Sequence, residues 1–290
     1  MSRFIFSTVA MSAAILIFAL SHGQSQTSAN GKSIFRFDTF GDEQLWTDTL
    51  QMQQAIKNVS PRTALSVGLK VDSNALPPAV INAIKAGQVN LDDPAVTTQL
   101  LKLNAVIGVI GKVVGANDTL ATIGITCALC HSTVDNAVAP GIGRRLDGWP
   151  NHTLNVGAII ALSPAVINKA PFQSWGPGKF DARLEYFNGK NIVSLNSFTL
   201  PVVIPPAFGL KGVGFETYTG DGVISYWNNY VGAMEMGRAW QFQRSPDWDS
   251  RHANAGSGDA QAPGVVAVSA WSRDAPAARR KFRQGGGATG

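Results

Sequence analysis

Apolar positions recur at helical spacing along "FGDEQLWTDTLQMQQAIKNV", where Phe40, Leu45, Trp46, Leu50, Met52 and Ile56 share one broad face. The spacing predicts a helix capped by Asp42 and closed by Ser60 and Pro61. A second helix fits "PPAVINAIKAG", with prolines in its first turn and Gly87 as its stop. A third is expected over "DDPAVTTQLLKLNAVIGVIGKVV", starting near Asp92 or Asp93 with Pro94 in the first turn. Gly108 and Gly111 weaken its end, or let another helix approach closely. The N-terminal half is therefore expected to be helical, with few strands.

From Cys127 to about Met236 the pattern changes. Helices are expected to be short, and the connecting stretches are rich in Gly, Pro, Asn and aromatic residues: "PGIGRRLDGWPN", "PFQSWGPGKFDARL", "LPVVIPPAFGLKGVGF". Long loops bearing large rings can wrap a flat hydrophobic group with little regular structure, although most such rings fill core. Beyond Gly237, low-complexity stretches such as "SRDAPAARRKFRQGGGATG" lose apolar periodicity, and residues 253–290 are expected to be mostly disordered. The "ARRKFR" cluster reads as a solvated tail end rather than an anion-binding patch. No internal repeat is evident.

At the other end, Arg3, the apolar run from Ala10 to Leu20 and the following "SHGQS" predict an export signal cleaved near Gly23. An uncleaved anchor is the competing reading, but the run is short for a bilayer span. "LNAVIGVIGKVVG" is apolar yet interrupted by glycines and Lys112, so no stable membrane span is expected after cleavage. The expected organisation is a signal over 1–23, a working domain over 30–237 and a tail over 238–290, in a periplasmic protein. Lysine and arginine number 24 against 19 acidic residues, a net charge of +5. Most of the excess lies in the tail, so no nucleic-acid surface is expected. A modest positive balance suits an acidic redox partner.

Both cysteines of the chain fall in "GITCALCHSTVDN", as Cys127-Ala-Leu-Cys130-His131. Two cysteines exclude a disulfide-dense scaffold. A thioredoxin-like dithiol would sit between a central strand and a helix in a βαβ setting, which the flanking pattern lacks. Structural zinc needs about four ligands, and there is no third cysteine. In haem c attachment, two intervening residues set the thiols at the spacing of the porphyrin vinyl groups, and the adjacent histidine turns under the iron. That chemistry uses all three residues, and it predicts one covalent haem c per chain.

The stretches "VSPRTALSVGLKVD", "LLKLNAVIGVIG", "GITCALCHSTVDN", "GIGRRLDGWPNHTLNVGAIIALSP", "PGKFDARL" and "PPAFGLKGVGFETYTGDGVISYWNNYV" resemble a group of exported bacterial c-type cytochromes. That group is distantly similar to the bacterial dihaem cytochrome c peroxidases. The likeness runs from about Ile34 to Gly237. It implies haem attachment at Cys127 and Cys130 with His131 as proximal ligand. Members commonly carry a second haem module after the region matching "YWNNYV". Here no second CxxCH follows, which implies a single haem and makes an altered C-terminus one reading of the tail. The expected fold class is mainly α: a cytochrome c-like haem-binding fold with an added N-terminal helical region and long aromatic-rich loops.

Candidates for the sixth iron position are Met236, Met234 and His152, or the position is open; Met52 belongs to an apolar helical face. Met236 is favoured because Gly237 permits a sharp turn after the aromatic run, and because the resemblance implies a methionine-glycine pair there. Methionine sulfur stabilises reduced iron. Arg144 and Arg145 are candidates to pair with haem carboxylates, since a guanidinium matches a carboxylate fork. Trp149, Trp175 and Trp227 are candidates for haem packing or an electron route. No nucleophilic triad, nucleotide loop or paired-carboxylate motif points to catalysis. The expected function is electron transfer with a redox partner protein; a peroxide-reducing haem enzyme and a haem-bearing sensor are the alternatives.

Overall fold

A computed structural model describes residues 31–181 and 201–208. The helix α1 (31–37) opens this region. The long helix expected over residues 40–59 is broken in two. A π-helical turn spans Gln44–Thr49, and a separate α2 spans Met52–Ile56. Between them Gln51 takes φ +52°, a left-handed conformation that no helix interior accommodates. The apolar face survives the break, since Leu45, Trp46, Leu50 and Met52 are all buried. Ser60 does more than close the segment. Its hydroxyl accepts the Thr63 N–H and starts α3 (Pro61–Ser66), with Pro61 in the first turn.

The second helix forms as expected, as α4 (Pro78–Lys85), and Gly87 at φ +69° ends it. The third is less than half as long as expected. Asp93 caps α5 (Pro94–Lys102) by accepting the Ala95 N–H at 2.9 Å. The remaining apolar run is β2 (Val109–Val114), hairpin-paired antiparallel with β3 (Thr119–Ile125). Its β-branched residues suit a pleated surface, and Asn104 (φ +51°) and Gly108 (φ +73°) break the helical path before it.

Three further two-stranded pairings complete the described region. The strand β1 (Val71–Asp72) runs parallel to β5 (Ile142–Gly143), while β4 (Ser132–Val134) pairs antiparallel with β6 (Arg145–Asp147). The strand β7 (Lys179–Phe180) pairs with β8 (Val202–Val203). Short helices lie between them: α6 (Ala128–His131), α7 (Val156–Ile160) and α8 (Ala170–Gln173). The described region is 36% helix and 19% strand, spread over several sheets. The expectation of a mainly α, cytochrome c-like fold is therefore corrected: α and β elements are interleaved throughout. The cause is local, because valine, isoleucine and threonine runs beside glycines pair as strands instead of extending helices.

The main core joins Leu45, Trp46, Leu50 and Met52 to Leu100, Leu101, Ile123, Leu154, Phe172 and Trp175. A smaller cluster of Phe35, Ile107, Ala128 and Val134 packs α1 against the helix α6, with Cys127 at its edge. A wholly buried carboxyl, Asp42, sits between these parts. It was expected to cap a helix, but both its oxygens accept the Ile125 N–H, at 3.1 and 3.2 Å. Among the described residues, no helix is long and apolar enough to cross a membrane.

Candidate functional site

The CxxCH stretch forms the joint between two hairpin-like units. It leaves β3, turns through α6 and enters β4 without a linker. Thr126 sets the turn: its hydroxyl accepts the Ala128 N–H at 3.3 Å and donates to the Arg36 carbonyl at 3.1 Å. Gly108 gives α6 room. A Cβ there would lie 2.0 Å from the Leu129 nitrogen, so only glycine fits. The close approach allowed for in this glycine therefore occurs, though against α6 and from a strand-flanking turn. On the other side, the Asn151 N–H donates to the Cys130 carbonyl at 2.8 Å, and its side-chain amide donates to the Gly68 carbonyl.

Cys127 and Cys130 are not joined in a disulfide, and both are half-buried. Burial pushes the Cys127 thiol up to about 12, with the nearby Asp38 and Asp42 adding to the rise. This is opposite to what a reactive redox dithiol requires, since such a thiol is held low to supply thiolate. A sulfur in a thioether has no ionisable proton, and the same surroundings then cost nothing in charge.

His131 is held by one bond. Its Nδ1 lies 2.9 Å from the Pro205 carbonyl oxygen, and the ring nitrogen is the donor because a carbonyl only accepts. The hydrogen therefore sits on Nδ1, which leaves the Nε2 lone pair available to a metal. Burial holds the imidazole below its ordinary range, and the Pro205 bond partly opposes this, so the ring stays in the neutral, ligating form. The segment carrying Pro205 is itself fastened. Ile204 N–H donates to the Gly178 carbonyl, Ala207 N–H donates to the Gly148 carbonyl at 2.8 Å, and Phe208 packs on Trp149 at 5.2 Å between centroids.

Of the two arginines, the structure separates the roles. Arg144 is exposed, with Asp135 at 3.5 Å. Arg145 lies on β6, opposite Val134 of the strand that leaves His131, with a side chain only 3% exposed. Its Nε is 3.3 Å from Asp72, its guanidinium lies over the Phe37 ring, and among the described residues neither Nε nor Nη1 makes a hydrogen bond. Burial pushes this guanidinium down from its usual range, with Asp147 and Asp72 partly restoring it. A buried donor without an acceptor is costly, and it suits a carboxylate supplied from outside the chain.

His152 is exposed and Met52 is core. Trp175 is also core, packed on Phe172 and Phe180 at 5.4 and 5.8 Å. Met234, Met236 and Trp227 lie outside the described residues, as do the expected signal and tail. Among the described residues, no group of three or more His, Cys, Asp or Glu side chains is placed to hold a metal ion together. Cys127, Cys130 and His131 thus do not converge, and haem c attachment does not ask them to: the thiols bind the porphyrin edge and only the imidazole binds iron. The chain matches no family model, no curated protein and no solved structure.

Pro205 and Asn151 escaped sequence reasoning. The "PPAF" run was visible as a turn-rich stretch, but nothing local said which carbonyl would meet a histidine 74 positions earlier. Asn151 follows Pro150 and reads from the sequence only as a turn residue.

Proposed function

We propose that this chain binds one haem c covalently through Cys127 and Cys130, with His131 as an iron ligand, and works as a periplasmic electron carrier. The observation that carries the reading is the Nδ1 to Pro205 bond, which selects the ligating tautomer in the one residue type the motif needs. The raised Cys127 thiol and the Arg145 donors that make no hydrogen bond among the described residues fit the same group. Arg145 would hold a haem carboxylate, while Arg144 keeps to Asp135. Met236 would supply the second protein ligand to the iron, on the sequence grounds given above.

When bound, haem supplies a one-electron iron couple. The chain's own residues hold it and tune it. The thioethers keep it attached, the Pro205 bond fixes the ring plane of His131, and the apolar cluster of Phe35, Ile107, Ala128 and Val134 lowers the dielectric beside Cys127. A redox partner protein exchanges the electron. The likeness of the CxxCH and "PPAFG" stretches to exported c-type cytochromes supports this class and place of work.

Expression with a haem-attachment system tests the reading. Acid–acetone extraction should leave the colour on the polypeptide, and the pyridine haemochrome should report one haem per chain. Colour that extracts freely, or zinc in its place, would sink it.

A further inference from the structure

Asp42 is fully buried. Among the described residues, the groups facing its carboxyl are the Ile125 N–H, the carboxylates of Glu43 and Asp38, and the Trp46 indole. Ile125, whose N–H the carboxyl accepts, stands two residues before Cys127, and the Asp42 charge adds to the rise of that thiol. No cation is among these groups. The placement is enforced: a Cβ on Gly124 would meet Asp42 Oδ1 at 2.6 Å and the Glu43 carboxyl carbon at 3.1 Å. The two carboxyls therefore crowd one point, and Glu43, half-buried and bonded by the Thr39 hydroxyl at 2.7 Å, leads from it to solvent.

A carboxyl so placed has a choice to make whenever charge changes beside Cys127. Positive charge gained there favours the carboxylate, and its loss favours the acid. The interior magnifies the preference, because little solvent intervenes.

We propose that Asp42 is a proton-binding site coupled to electron transfer. It takes one proton from solvent by way of Glu43 as the haem takes one electron from a reduced partner protein, and it returns the proton when that electron leaves. One positive and one negative charge enter together, so the buried region keeps its net charge. The proposal rests on the haem reading above. Burial also raises the Asp42 carboxyl well above the ordinary carboxylate range, so the acid form is available where surface carboxyls have already ionised.

The test is the midpoint potential of the haem-loaded full chain against pH. In the wild type the redox equilibrium should shift up to tenfold per pH unit, about 59 mV, between the two titration points of the carboxyl. Asp42→Asn keeps an acceptor for the Ile125 N–H and fixes the site neutral, so its potential should be level over that range. Reduction of the wild type should also yield a protonated aspartate stretch in the redox-difference infrared spectrum, seen with isotope-labelled aspartate. A level wild-type potential, or a slope that persists in Asp42→Asn, overturns the proposal. If the variant fails to fold or to bind haem, the wild-type infrared spectrum decides, and an unchanged aspartate stretch overturns it. Pyridine haemochrome analysis comes first: a wild type without haem removes the haem reading itself, whereas haem without these signatures removes only the proton site.

Discussion

Gly108 lies against Leu129 so closely that a Cβ on the glycine would stand 2.0 Å from the Leu129 nitrogen and 2.2 Å from its Cα. The contact seats α6, and so sets the height of the CxxCH turn against the β2–β3 hairpin. Both atoms that would be struck are backbone, which cannot swing aside as a side chain can.

Gly108→Ala should therefore destabilise the protein by at least about 2 kcal/mol in urea unfolding, the range of severe core changes. Gly115→Ala is the control. It shares φ +73° but has open space around it, so it should cost only about 1 kcal/mol of backbone strain. Equal losses in the two variants would show that the close approach to Leu129 does not matter.

Replacing Cys127 or Cys130 with alanine should leave at most one thioether bond. Denaturing gels stained for haem should then lose most of their band relative to wild type. A band of undiminished strength in both variants would remove covalent attachment from this motif.

Met236→Ala should abolish the methionine-to-iron charge-transfer band, lower the midpoint potential and open the iron to cyanide or peroxide. Met234→Ala should change little. If the wild-type iron already binds small ligands quickly, the sixth position is open and the peroxide-reducing alternative moves ahead.

The buried carboxyl also makes a stability prediction. Asp42 has a folded pKa raised by burial, so the folded state binds the proton more tightly than the unfolded chain. Its contribution is full below the unfolded pKa of about 4 and is lost as pH rises through the folded value. Relative to Asp42→Asn, wild-type stability should fall with rising pH above about 4, by up to roughly 1.4 kcal/mol per unit. Urea unfolding across that range measures the difference; parallel curves for the two proteins would show that Asp42 folds without the shift.

The candidate site was legible as a location because its residues stand close together: Cys127, Cys130 and His131 lie within five positions. So were the α4 and α5 starts, where Pro78 and Asp93 act on their own neighbours. What escaped was set across the chain. The run after Asn104 is apolar at a spacing that suits a helix, and only the partner β3 makes it a strand. Asp42 has the residue type and position of a cap, yet its carboxyl is claimed by Ile125, 83 residues away. Arg144 and Arg145 are indistinguishable as neighbours in sequence. Arg145 opens β6 and is buried, whereas Arg144, just before the strand, is exposed.

The bond between His131 and Pro205 also has an order in time. If the chain is exported from its N-terminus as proposed, it presents Cys127, Cys130 and His131 while Pro205, 74 positions later, has yet to arrive. The thiols are then in water and easily ionised, and the imidazole turns freely. Any group joined to the cysteines at that stage meets an unconstrained ring, and closure of the 201–208 segment afterwards fixes it. Non-local contacts of this kind form slowly. On the haem reading proposed above, the interval before they form would be the window for attachment, and the folded protein would be its lock.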